Sequence, residues 1–471
     1  MIQCFKILLL LFIPTCLFAQ NKQILFGFDD IPQTLMLNPG APVNNAGYVG
    51  LPLLSQVHLR TGFSGLSAYD LFADNGTDFN TKLRQAVYNM DASDHFAINE
   101  QLDILSGGFA FGKTYEKTEY LSFGLYQETD VFLYFPKDYA VLVLEGNQQN
   151  INKVFDLSDL NMSGEVLSVF HVGYNKKLNS KLNVGVRGKI YSSIINVNST
   201  HNAGTFITVP GENNYLNHIF NLGLQVNTSG AASLLNDDNS DVSKDIKELK
   251  SRMLFGGNLG LGLDLGLTYQ PTDQWTIQAS IQDIGFISHK KDVESYSLNG
   301  YLEYEGINPV FDANQPGQSA EEYWNDVANQ FEELFTVDTT YTKYTTWRPV
   351  KINTSLSYAF GRKVNKTCNC LQEKSGYLNQ VGAHLFFVNR PKVPQIAFTA
   401  FYYRRLLDQL RIKATYTIDS YSFSNLGLGL SAHLGGVNFY ILADNLLSYQ
   451  NLAKAKSVSL QLGFNYIFNK K

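Results

Sequence analysis

Residues 457–468 read SVSLQLGFNYIF. Val458, Leu460, Leu462, Phe464, Tyr466 and Phe468 fall on one side of an extended chain. Ser457, Ser459, Gln461, Gly463 and Asn465 fall on the other, because successive strand residues point to opposite faces. One face is strongly apolar and the other is small or polar. Two structures accept such a strand: a soluble sandwich with one wet face, or a membrane barrel with lipid outside and a polar lumen inside.

The same alternation recurs. In NLGLGLDLGLTY, Leu259, Leu261, Leu263, Leu265, Leu267 and Tyr269 oppose Gly260, Gly262, Asp264, Gly266 and Thr268. LRIKATYTI (410–418), NLGLGLSAHL (425–434) and LNVGVRGKIY (182–191) follow the same rule. Their polar faces hold mostly Gly, Ser, Asn and Thr, which suits a narrow or packed lumen better than a solvated sheet. Connections also alternate short and long. Short ones are 116–119, 179–181, 271–274 and 435–436; long ones are 199–257 and 288–349. Outer-membrane barrels have short periplasmic turns and long outer loops. Strands are expected near 49–64, 103–115, 120–134, 164–177, 182–198, 258–270, 275–287, 350–361, 377–388, 394–404, 410–418, 425–434, 436–445 and 456–468. The predicted fold is all-β: a transmembrane antiparallel barrel of about fourteen strands over residues 49–471. Its last strand, Ser457–Phe468, would close against the first and serve as the signal to the barrel-assembly machinery.

Composition agrees. Charged residues make up 17% of the 471, aromatics 13%, with 27 Tyr, 32 Phe and 37 Gly. A net charge of −5, dispersed along the chain, argues against nucleic-acid binding. Mean hydropathy is only −0.13, and past residue 20 no apolar run is long enough for a spanning helix. Residues 1–19 read as a secretory signal: Lys6, the apolar run 7–13, then a small residue at Ala19.

The outer loops carry helical stripes. Phe79, Leu83, Val87 and Met90 form one; Val242, Ile246, Leu249 and Met253 another; Ser319 and Glu322 open a third as a capping box. PKDYAVLVLEGN (136–147) reads as a short helix between strands. Asp237, Asn239, Asp241 and Glu248 imitate part of a calcium loop, but Val242 stands where the sharp turn needs Gly, so a solvated acidic loop is expected. Cys368 and Cys370, in TCNC, could close a small disulfide ring in a periplasmic turn, hold a metal, or do nothing special. The sequence nominates no catalytic residue, metal set or cofactor site. Arg187, Lys189, Asp264, Lys351, Arg411 and Lys413 are expected to face the lumen, because a Lys or Arg on the lipid face costs roughly 2–4 kcal/mol at the midplane. They can pack against one another or make the interior attractive to anions.

TLMLNPGAPVNNAGYVGLP (34–52) resembles the LNPA-type segment of FadL-like outer-membrane transport barrels and the related type IX secretion barrels, with Gly40 where Ala is usual. GVNFYILADNLLS (436–448), LGFNYIF (462–468), FPKD (135–138) and LNVGVRGKIY are similar to PorP/SprF-type barrels and an uncharacterised sibling family. The resemblance implies that residues 20–48 form a hatch, with Asn38, Pro39 and Gly40 in its plugging element. Beside it, no HExxH, G-x-S-x-G or clustered acid pair in the residues nominates an enzyme. The resemblance implies an outer-membrane lipid environment and passage or binding of a hydrophobic small molecule. Its alternative is a structural or shuttle barrel tied to type IX secretion or gliding, with envelope-protein partners.

Overall fold

The computed structural model describes residues 22–112, 118–211, 216–232, 247, 250–305, 337–362 and 376–468. Among them twenty strands join in one antiparallel sheet. The first ten are β1 (Gly47–Gly50), β2 (Val57–Phe63), β3 (His95–Phe111), β4 (Glu119–Tyr134), β5 (Val154–Asp156), β6 (Met162–Lys177), β7 (Leu182–Pro210), β8 (Leu216–Ser229), β9 (Asn258–Tyr269) and β10 (Trp275–His289). The rest are β11 (Val293–Glu305), β12 (Asp338–Thr340), β13 (Tyr344–Trp347), β14 (Lys351–Arg362), β15 (Tyr377–Val388), β16 (Gln395–Arg405), β17 (Leu410–Ile418), β18 (Asn425–Leu434), β19 (Val437–Asp444) and β20 (Ser457–Phe468).

Fourteen staves close the cylinder. β1 and β2 share the first stave: both pair with β3 on one side and β20 on the other. The ring then runs β4, β6, β7, β9, β10, β14, β15, β16, β17, β18, β19 and β20. Closure leaves no open edge among the staves, a requirement where no water can hydrogen-bond the backbone. The opening stretch is therefore the strand that seals the ring, and its Val57↔Leu462 register joins the two ends of the chain.

The outer surface is apolar. On β9, Leu261 is 58% exposed while Asp264, one pleat inward, is fully buried. Aromatic residues stud the lower strand ends: Tyr269, Trp275, Phe360, Tyr466 and Phe468 are all exposed. No described helix is long and apolar enough to cross a membrane. This is the outer-membrane type of barrel, spanned by strands whose dry faces look outward.

Three expected boundaries move. The first strand is not continuous over 49–64; it breaks between Gly50 and Val57, where Pro52 cannot donate and Leu53 adopts φ of 62°. β3 begins at His95, not 103. The connections 199–257 and 288–349 are only partly loop. β7 runs on to Pro210, β8 pairs along it, and β11 pairs along β8, raising a hairpin crown above the staves. The helix Phe79–Asn89 forms as expected, capped by Asp78, whose carboxylate accepts from Thr81 N. Lys137–Glu145 is also a helix. Val87, Met90 and Val141 pack there on Phe155, Leu157 and Phe206 of the crown. The stripes at 242–249 and 319–335, the acidic segment at Asp237–Asp241 with Glu248, residues 1–19, and Cys368 with Cys370 lie outside the described residues.

Candidate functional site

Residues 22–46 precede the first strand and pack against the inward faces of the staves. The segment coils through successive three-residue turns: Leu25 N donates to Lys22 O, Phe28 N to Leu25 O, Ile31 N to Phe28 O, and Thr34 N to Ile31 O. Such turns satisfy the backbone locally, which a segment buried away from water requires. Ile24, Leu25, Phe26, Phe28 and Ile31 are all at most 1% exposed. They form an apolar cluster with Leu37, Tyr440 and Leu442. The wall opposite is thinned for them: a β-carbon on Gly429 would stand 2.7 Å from Ile24 Cγ2.

Asn38, Pro39 and Gly40 meet the wall where it has no side chains. Gly185 of β7 and Gly266 of β9 are register partners. A β-carbon on Gly185 would stand 2.0 Å from the Pro39 carbonyl oxygen, and one on Gly40 would stand 2.4 Å from the Gly266 oxygen. Asn38 Nδ2 donates to Leu267 O at 3.2 Å, while its Oδ1 accepts from Gly40 N at 2.9 Å. Neighbouring carbonyls of the segment are held by barrel side chains. Asn175 donates to Pro39 O and Ala41 O, Ser280 to Leu37 O, Gln282 to Met36 O, and Arg187 to Leu35 O and Met36 O.

The six expected lumen charges all sit on inward faces, and their partners differ. Arg187 meets Asp264 at 2.5 Å, and Lys189 bridges Asp264 at 2.9 Å and Asp283 at 2.6 Å. Lys351 joins Asp283 at 2.9 Å to Glu128 at 3.2 Å. Arg348 adds Glu128 and Glu165. The chain of ion pairs thus crosses six staves, and buried charges persist because each is paired. Arg411 and Lys413 are apart from it: Arg411 pairs with Asp30 at 2.7 Å, and Lys413 donates to Phe26 O. Both hold the N-terminal segment. Arg187, Lys189, Asp264, Lys351 and Arg411 meet opposite charges, one of the two expected uses, whereas Lys413 meets a carbonyl and the Phe401 ring.

Sequence reading missed Asp283, Glu128, Glu165 and Arg348. Asp283 sits at φ of 60° in a bulge between Ile281 and Ile284, which re-aims its side chain inward and breaks the alternation that would have placed it. It also missed a groove of about 560 Å³ outside the seam of β2 and β20. Phe63, Leu66, Leu71, Phe72, Phe96 and Val458 line it.

No curated protein matches the sequence. Among solved structures, a Pseudomonas aeruginosa FadL homologue is 10% identical, with 97% of this chain and 99% of that chain covered at a TM-score of 0.42. The Pseudomonas putida toluene transporter TodX is 11% identical, covering 93% and 92% at 0.34. The CymD monoaromatic hydrocarbon channel is 11% identical, covering 94% of each at 0.37. A family model described as "Family of unknown function (DUF5723)" matches residues 39–444, most of the chain. The chain therefore belongs to the DUF5723 family.

Proposed function

We propose that this barrel binds and passes a hydrophobic small molecule, with residues 22–46 acting as a plug that yields to it. One observation carries the reading: the segment buries Ile24, Phe26, Phe28 and Ile31 against a thinned apolar strip of the lumen wall at Gly429. A displaced plug leaves apolar surface that only an apolar occupant can cover without desolvating polar groups. The apolar groove at the β2–β20 rim gives such a compound a place to gather. The hydrocarbon cargo named for the TodX and CymD channels belongs to the same chemical class. The secretion- or gliding-linked alternative draws no support from these likenesses.

The test is a locked plug. With Cys368 and Cys370 changed to Ser, the pair I24C and G429C brings two β-carbons within disulfide reach. Uptake of an apolar dye that fluoresces in lipid is expected to stop in the oxidised variant and return on reduction. Equal uptake in both states overturns the proposal.

A further inference from the structure

Residues 389–394, NRPKVP, join β15 to β16 at the outer mouth, and they reach across the barrel. Counting from the stave shared by β1 and β2, β4 is the third stave, and β15 and β16 are the ninth and tenth, so they stand opposite one another across the lumen. Arg390 nevertheless grips Asp130 of β4 with both ends of its guanidinium, at 2.8 and 3.1 Å. Lys392 N donates to the Tyr134 hydroxyl at 3.1 Å, and Lys392 Nζ meets Asp159, in the connection before β6, at 2.8 Å. Gln395 and His95 close the same gap at 2.8 Å. At the next inward position of β4, Glu128 meets Lys351 of β14. Pro391 and Pro394 fix two of the strap's φ angles, which stiffens it in this reach.

The strap lies on aromatic rings. The Arg390 guanidinium stands 4.8 Å from the centre of the Phe132 ring, and the Lys392 ammonium 5.0 Å from that of Tyr134. His95 stacks on Phe132 at 4.6 Å, and Tyr421 meets His95 edge-on at 5.2 Å. Phe132, Tyr134 and Tyr421 are all buried. The outer end of the lumen thus holds an apolar surface, and two cations cover it.

We propose that this strap is a second gate in series with residues 22–46: a charged latch that must part before an apolar compound from outside reaches the plug. This rests on the reading of the lumen as a passage for hydrophobic compounds and adds what controls its outer side. β4 shares its ladders with β3 and β6, and β15 with β14 and β16, so the latch can part while every stave stays paired. Within a buried ion pair the attraction is largely offset by the cost of drying both charges. Parting the pair into water is therefore far cheaper than stranding one partner in a dry site. Lifting the strap uncovers the faces of Phe132 and Tyr134, where an apolar or aromatic compound takes the place of the two cations.

The test bridges the latch on the full chain, in a background with Cys368 and Cys370 changed to Ser. The Arg390–Asp130 contact puts the cysteines of D130C/R390C within the span of a short bis-maleimide. Cells carrying D130C/R390C are expected to take up the apolar dye several-fold faster than cells with the unaltered latch, and to lose that uptake once the reagent bridges the pair. Each single-cysteine variant, capped by the same reagent, is expected to keep its uptake. Folding is read from heat-modifiable gel mobility. Should the cysteine pair fail to fold, D130N/R390Q, which removes both charges together, carries the same expectation of faster uptake. Uptake that the bridge leaves unchanged, or that D130N/R390Q does not speed, overturns the latch. The I24C/G429C lock separates the two readings. If that lock stops uptake while the bridge does not, the plug reading stands without the latch; if neither stops it, both fall.

Discussion

At Gly185 and Gly266 the wall gives up its side chains so that the plug backbone can touch the strand backbone. The Gly185→Ala variant places a methyl group 2.0 Å from the Pro39 oxygen, closer than any real contact allows. Neither partner is a flexible side-chain end, so the plug must shift. The expected result is faster proteolytic cleavage within residues 22–46, with the barrel's heat-modifiable mobility retained. Arg187 works from the next pleat. Arg187→Ala leaves Asp264 without its closest partner and frees the carbonyls of Leu35 and Met36. Breaking one partner of a buried pair costs about 3–5 kcal/mol. Thermal unfolding followed by circular dichroism is expected to report a loss of that order, larger than for Arg411→Ala, whose Asp30 partner is 18% exposed.

Among the elements, β9 gives the cleanest division between lipid and lumen. Leu263→Lys is expected to cost about 2–4 kcal/mol at mid-membrane and to reduce assembled barrel in outer-membrane fractions. Gly260→Ser on the same strand is a different matter, since its β-carbon would sit 2.2 Å from Phe286 O. Strands of this kind were legible because lipid on one side and a narrow lumen on the other impose a strict period of two. Where a charge interrupts the alternation, or the strand leaves the ring of staves, the signal weakens. In β3, Glu100 interrupts the outward face of Phe96, Ile98 and Leu102 and accepts from Thr129 across the strand pair, and His95, Asn99 and Gln101 fill the inward one. The crown strand β8 was read inside a loop although Leu216, Phe220, Leu222, Leu224 and Val226 alternate along it, because only the short-and-long parity of the connections was used there. The charge network was half legible. Lys189 and Asp264 declared themselves by standing on alternating strands, but Asp283 lies in a bulge, and Glu128 meets Lys351 from 223 residues away. Pairing across the barrel is a property of closure, which no local pattern carries.

In the molecule as a whole, the staves, residues 22–46 and the paired charges depend on one another. Lipid requires a closed apolar exterior; closure creates an interior; residues 22–46 and buried ion pairs occupy part of it. Removing residues 22–46 is expected to leave Asp264, Asp283 and Lys413 in a hydrated lumen. The barrel should still assemble, with larger ion conductance in planar bilayers than the full chain. Unchanged conductance would mean that the segment does not obstruct the lumen.

The central claim is that alternate residues of each stave touch hydrocarbon. Nitroxide scanning of β14 in reconstituted membranes tests it most directly, in a background with Cys368 and Cys370 changed to Ser. Labels at Ile352, Thr354 and Leu356 are predicted to show high contact with dissolved oxygen and low contact with a water-soluble nickel chelate. Labels at Asn353, Ser355 and Ser357, which face inward and are buried, are predicted to be low in both. A nickel-accessible surface at 352, 354 and 356, or no period of two, would contradict the barrel.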